Sequence, residues 1–237
     1  TPWGRGGARI SVTYFDTRFS DQVVHPVYDD IVNALTNPVY ASFVRRLDPT
    51  NAADLAAAQA LIDDPTATDA KLFPASAYGA ILDGRNLNAG ELDVRGLDIQ
   101  VNWPVTLWDQ ALTLSADASY LIDYKRKLTV DAPSVQYVDL AGFPVDWRVN
   151  LGVNWSRGPY AASGFLHYVD DYATAAGRRI GSWTTADLRI QWTAPTQQGP
   201  MAGVVVAAAA QNLFNQDPPF YDAAQGVGYD PANADVL

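Results

Sequence analysis

The chain has 237 residues, a net charge of −10 and no cysteine, which leaves no disulfide framework, no thiolate chemistry and no Cys-based zinc site. Its acidity argues against a nucleic-acid partner, which would call for a basic stripe, and 18% charged residues among many Tyr and Trp argue against disorder. The longest apolar run, Val204 to Ala210, falls far short of the roughly 18 residues of a membrane helix, but the strands of a transmembrane barrel need only about 9–11 each.

The opening stretch, Thr1-Pro2-Trp3-Gly4-Arg5-Gly6-Gly7, is loop-like and shows no signal peptide, so the chain reads as a piece of something longer. Alternation of apolar and polar residues then predicts about seven strands. The first runs from Ala8 to Val24, with Ile10, Val12 and Tyr14 on one face and Arg9, Ser11 and Thr13 on the other. Pro26 to Asp83 is an excursion with structure of its own. Asn37-Pro38 predicts a capped helix to Leu47, and Asn51, with Asp54 in the first turn, predicts another that ends at Asp63-Asp64-Pro65. The second strand runs from Asn86 to Trp103. The third, Ala111 to Lys125, sets Leu112, Leu114, Ala116, Ala118 and Tyr120 against Thr113, Ser115, Asp117 and Ser119. The fourth spans Val145 to Trp155, the fifth Tyr160 to Asp170 and the sixth Arg179 to Thr193; the seventh, Ala202 to Phe214, is apolar on both faces.

Trp103, Trp155 and Trp192 each close an alternating run at the same strand end, as in Ala186-Asp187-Leu188-Arg189-Ile190-Gln191-Trp192. Indole is apolar in body and polar at its N–H, so a membrane interface selects it. Tyr14, Tyr120 and Tyr168 mark a second aromatic level at the other ends; Trp103, Trp155, Trp192, Tyr120 and Tyr168 are the expected girdle. Connections on the Trp side are short (Pro104 to Gln110, Ser156 to Pro159, Ala194 to Met201). On the other side they are long (Pro26 to Asp83, Arg126 to Phe143, Asp171 to Arg178), the asymmetry of outer-membrane barrels. A soluble sandwich or soluble barrel also alternates, but its strands average about 5–6 residues, and Val145 to Trp155 is about twice that. The expected fold is an all-β, antiparallel, up-and-down transmembrane β-barrel segment with a long, partly helical extracellular loop at 26–83. Leu151 and Val153 meet lipid in it, while Arg148 and Asn150 meet water.

Several segments resemble, in family order, the TonB-dependent outer-membrane receptors. Ile10 to Gln22, with Tyr14-Phe15-Asp16, is similar to an ascending strand, and Val94-Arg95-Gly96-Leu97-Asp98 to a descending one. Ile180 to Leu188 looks like the penultimate descending strand, Asn212-Leu213-Phe214 with Asp217-Pro218-Pro219 like the segment after the next ascending strand, and Gly228 to Asp235 like the loop before the last strand. The resemblance implies that 1–237 is the C-terminal part of such a barrel, without the plug, the TonB-contacting box and the closing strand. It also implies a Gram-negative outer-membrane receptor that binds a scarce nutrient (ferric siderophore, cobalamin or oligosaccharide) at its outer loops and imports it with energy delivered through TonB acting on the plug. Tyr172, Arg178 and Tyr221 are the loop residues expected to touch that ligand. A passive porin or adhesin on a similar wall, or a soluble β-rich binding module, is the alternative.

Little else in the chain suggests chemistry. His25, beside Asp29 and Asp30, and His167 are expected to be solvated polar residues, since a metal site needs further ligands at fixed geometry. No Gly-rich phosphate loop or G-x-S-x-G elbow is present, and Asp98, Asp117, Asp146, Arg148, Asp187 and Arg189 read as the charged lining of a wet lumen rather than as a catalytic pair. No catalytic residue, metal or cofactor is expected, and the partners are lipid, nutrient and the TonB complex.

Overall fold

A computed structural model describes residues 7–25, 27–28, 31, 34–67, 72–128, 132–196, 198–221 and 228–233. In chain order the elements are β1 (Arg9–Val24), a 3-10 helix (Pro38–Phe43), β2 (Val44–Arg46), α1 (Ala52–Ile62), a second 3-10 turn (Ala75–Ala77), β3 (Ala80–Leu82), β4 (Leu87–Leu107) and β5 (Gln110–Lys127). There follow β6 (Val135–Gln136), β7 (Trp147–Arg157), β8 (Tyr160–Val169), β9 (Tyr172–Ala173), β10 (Arg179–Ile180), β11 (Trp183–Thr193) and β12 (Val205–Ala210).

The long strands lie in one sheet in the order β1-β4-β5-β7-β8-β11-β12, with β6 beside β5. From β5 onward the pairings along this path are antiparallel and follow the chain, an up-and-down meander. Turn chemistry fixes the register. Trp108 and Asp109 both have positive φ (47° and 59°), as a type I′ hairpin turn requires, and join β4 to β5. Gly158 (φ 54°) followed by Pro159 makes the II′-like turn that sets Arg157 opposite Tyr160.

Packing separates this sheet from a sandwich. The buried apolar residues lie in loops, in the helices of the excursion or at strand ends, among them Val145, Tyr172, Ile180, Trp183 and Ala194. Mid-strand aliphatics are open: Leu151 is 45% exposed, Leu188 40% and Ile190 53%. Among the described residues the sheet is a single layer with an uncovered apolar face.

The chain divides into two compact units, Thr1–Arg18, Asp93–Lys125 and Gln136–Leu237 in one, Phe19–Leu92 and Arg126–Val135 in the other. The second unit has its own small core of Val27, Ala34, Tyr40, Phe43 and Leu128. The helix expected from Asn37 to Leu47 is instead a 3-10 helix that ends at Phe43 and gives way to β2. Asn37 caps it by accepting the Val39 N–H (3.1 Å), and three residues per turn puts Tyr40 and Phe43 on the same edge, where both are buried. β2 then pairs antiparallel with β3, Val44 opposite Leu82. Helix α1 forms where expected: the Asn51 side chain accepts from the Ala53 (2.9 Å) and Asp54 N–H groups, and Ala58 and Ile62, four apart, are its buried residues.

Other boundaries also shift. β4 does not end at Trp103 but continues through Pro104 to Leu107, and the expected sixth strand is interrupted, since Arg179–Ile180 pairs with β9 instead. The seventh shrinks to Val205–Ala210 because residues on either side turn into loops. Asp29 and Asp30, the expected neighbours of His25, lie outside the described residues; His25 is exposed.

Candidate functional site: the inner wall and the loop mouth

Register assigns the faces. On β7, Val149, Leu151, Val153 and Trp155 oppose Tyr168, Leu166, Gly164 and Ala162 of β8, which in turn oppose Thr184, Ala186, Leu188 and Ile190 of β11. This face is apolar throughout its middle. The alternate positions make the other face: Asn154, Ser163 and Arg189 in one row, Asn150, His167 and Thr185 in another.

The inner face is cross-linked by polar side chains. The Ser119 hydroxyl donates to Asp98 (2.8 Å) and the Ser163 hydroxyl to Asn154 (2.7 Å). His167 lies between Asn150 (Nδ1 to Oδ1, 2.7 Å) and Asp187 (Nε2 to Oδ2, 3.3 Å), and Asp187 also accepts the Asn212 N–H at 2.8 Å. Arg148, Asn150, His167, Trp183, Asp187 and Asn212 help line a cavity of about 170 Å³. Phe165 is the apolar exception. It packs over Gly152, where a Cβ would stand 2.4 Å from the Ser115 hydroxyl and 3.3 Å from the ring.

At the strand ends away from the tight turns, loops close into a mouth. Asp230, with no exposed surface, is its node. It accepts the N–H of Gly142 (2.9 Å), the N–H of Ala232 (3.0 Å) and the amide of Asn233 (3.0 Å), and it is hydrogen-bonded to the Tyr172 hydroxyl. Arg148 donates to the Ala232 carbonyl (2.7 Å) and to Asn233 Oδ1 (2.8 Å). The segment after β12 is thereby tied across the tops of β7 and β9. Burial, and then the Asp230 charge, push the Tyr172 hydroxyl up to about 12.

Beside this node, Asp139, Asp146, Asp170 and Asp171 share a cavity of about 380 Å³ with Arg179, which pairs with Asp171. Burial, then the charges of Asp139 and Asp170, raise Asp146 to about 6. Burial also raises Asp139. Burial pushes Asp170 up too, but hydrogen bonds from the Tyr168 hydroxyl, the Asp171 N–H and the Asp146 carboxyl outweigh it and leave Asp170 lowered. Below about pH 6 Asp146 therefore carries a proton that it offers to Asp170. No group of side chains among the described residues is arranged to hold a metal ion.

The loop residues expected to touch ligand separate here. Tyr172 is 4% exposed and packs with Val145 and Ile180, with Tyr221 against the same cluster. Both tyrosines face the interior of the mouth. Arg178 lies apart on the exposed turn between β9 and β10, its N–H on the Thr174 hydroxyl at 3.1 Å. Of the expected girdle, Trp155 stands opposite Leu112 and Ala162, with its indole N–H on Gln110, and Trp192 stands opposite Tyr160 and Val206. Tyr120 stacks on Trp147 at 4.7 Å, Tyr168 donates to Asp170 (2.7 Å), and Trp103 is half-buried on β4. Trp147 and Tyr160 extend the two levels, and the same alternation that places Leu151 would have found them. Asp230 carries no comparable signal, because its partners are remote in sequence.

No curated protein matches the chain. The family described as TonB dependent receptor-like, beta-barrel matches residues 2–213. A single-layer antiparallel sheet, apolar outside, polar inside, with tight turns at one end and structured loops at the other, is what that match predicts. The chain belongs to the TonB-dependent receptor β-barrel family, whose members are outer-membrane receptors and transporters.

Proposed function

We propose that the protein is an active-transport receptor of a Gram-negative outer membrane, which binds a scarce nutrient at its outer loops and admits it through the lumen with energy delivered by TonB to a plug domain. The observation that carries this reading is the uncovered aliphatic face, with Leu151 45% exposed on a strand whose other side carries Asn150 hydrogen-bonded to His167. Such a strand suits lipid on one side and water on the other. Family membership supports receptor and transport roles in general; ferric siderophore, cobalamin and oligosaccharide are the cargo classes proposed. Arg178, at the exposed turn, is proposed to reach the ligand, while Tyr172 and Tyr221 hold the mouth in shape. The polar side chains have structural work on the wall, and no catalytic role is proposed.

The test is uptake. A strain lacking the full-length gene is compared with a TonB-deficient strain on limiting iron, limiting cobalamin and defined oligosaccharides. The expected result is one nutrient whose uptake both deletions abolish. Uptake that persists without TonB, or is unchanged by the gene's deletion for every cargo, overturns the proposal.

A further inference from the structure

The outer face of β7, β8, β11 and β12 is not smooth. Near the tight turns, Trp155 and Ile190 stand on either side of Ala162, and one register step further Val153 and Leu188 stand on either side of Gly164. Large side chains on the flanking strands and small ones on β8 leave a trough along that strand. Tyr160 and Trp192 stand at one end of it and Leu166 at the other. At the tight-turn end an apolar groove of about 420 Å³ is lined by Trp155, Tyr160, Ala162, Ile190, Trp192 and Ala208 among others. From Ala162 to Leu166 the strand advances about 13 Å, close to half the hydrocarbon thickness of a bilayer.

The groove has a polar end. Alternation places Arg157 on the same outer face as Trp155, opposite Tyr160, at the tight turn. Among the described residues its guanidinium has no hydrogen-bond or ion-pair partner, and neither has the Trp192 indole N–H. The neighbouring Trp155 indole, by contrast, is already committed to Gln110. A cation and an N–H that no described residue pairs, at the mouth of an apolar trough, complement a ligand with an anionic head and a hydrocarbon tail. The short-turn end of an outer-membrane barrel lies on the periplasmic side, at the headgroups of the inner leaflet.

We propose that this groove binds one glycerophospholipid of the periplasmic leaflet. An acyl chain lies over Ala162 and Gly164, and the phosphodiester sits on Arg157 and the Trp192 N–H. The site is separate from the lumen and from transport, and it makes a defined lipid an integral part of the wall.

Full-length receptor, extracted in detergent and incubated with 1-palmitoyl-2-oleoyl-phosphatidylglycerol, is examined by native mass spectrometry, with heat-dependent migration as the check on folding. Wild-type protein is expected to retain one lipid through delipidating washes. Arg157→Gln removes the charge and weakens retention about fivefold. Ala162→Leu fills the trough and abolishes retention; Ala208→Leu fills it from β12 and serves if the first variant folds poorly. Val149→Ile, on the same face outside the groove, leaves retention unchanged. Equal retention in every variant, or none in wild type, means annular lipid only and overturns the proposal.

Discussion

Leu151 and Asn150 are neighbours in sequence and opposites in surroundings. Leu151 lies between Ala116 and Leu166 on the uncovered face; Asn150 lies between Asp117 and His167 on the polar one. Leu151→Arg is expected to cost about 2–4 kcal/mol, the penalty for a cation near the bilayer midplane, and Asn150→Arg much less. Refolding titrations of the full-length protein into lipid vesicles measure both, and equal penalties would mean that the faces are misassigned. Asp230 belongs to a different regime. Asp230→Ala strands the Gly142 and Ala232 N–H groups, at about 1–3 kcal/mol for each buried group left without a partner, and leaves the Asn233 amide with the Phe143 carbonyl alone. The loss should be local: faster amide exchange in 140–146 and 228–233, with β7 and β8 unchanged. A period of two is enough to assign Leu151. Nothing adjacent to Asp230 hints that it meets Gly142 and Tyr172, which is why the node is illegible in the sequence.

Among the elements, the long strands and α1 were legible because each repeats its pattern over many residues or carries a side-chain cap. β2, β3, β9 and β10 were not. Strands of two or three residues have no period to detect, and they exist only because a partner lies alongside. A 3-10 helix and the first turns of an α-helix share the same Asn-Pro start, and the burial of Tyr40 with Phe43 decided between them. The mouth also carries a pH dependence. Asp146 is raised to about 6 from an ordinary value of 3.8, so the folded mouth binds this proton more tightly than the unfolded chain does. That contribution is complete below about 3.8 and is lost as pH rises through about 6. Asp170, lowered, contributes in the opposite sense: its stabilisation is complete above its ordinary value of 3.8 and is lost only as pH falls below it. Amide exchange at Asp171 and Ala173, corrected for intrinsic rate, is therefore expected to be slower at pH 5 than at pH 7.5. Asp146→Asn should flatten the difference; if the variant keeps the full pH response, the proton lies elsewhere.

On the scale of the whole molecule, fold class and face assignment followed from features spread along the entire chain (alternation, turn-length asymmetry and aromatic ends), and the family from the segments that resemble it in order. The details that escaped notice all depend on residues that meet only after folding. The two tight turns and the long excursion also set an order of events. The β4–β5 and β7–β8 hairpins close through Trp108-Asp109 and Gly158-Pro159, contacts that a chain finds quickly because little entropy is lost in closing so small a ring. Joining β1 to β4 must instead bring together ends separated by the whole of 25–86. The β2–β3 pair and the capped α1 shorten that search, because each removes residues from the free contour before the ends meet. The excursion's local elements thus have a kinetic consequence: they are expected to aid the folding of the wall, with the slowest step of assembly where β1 finds β4.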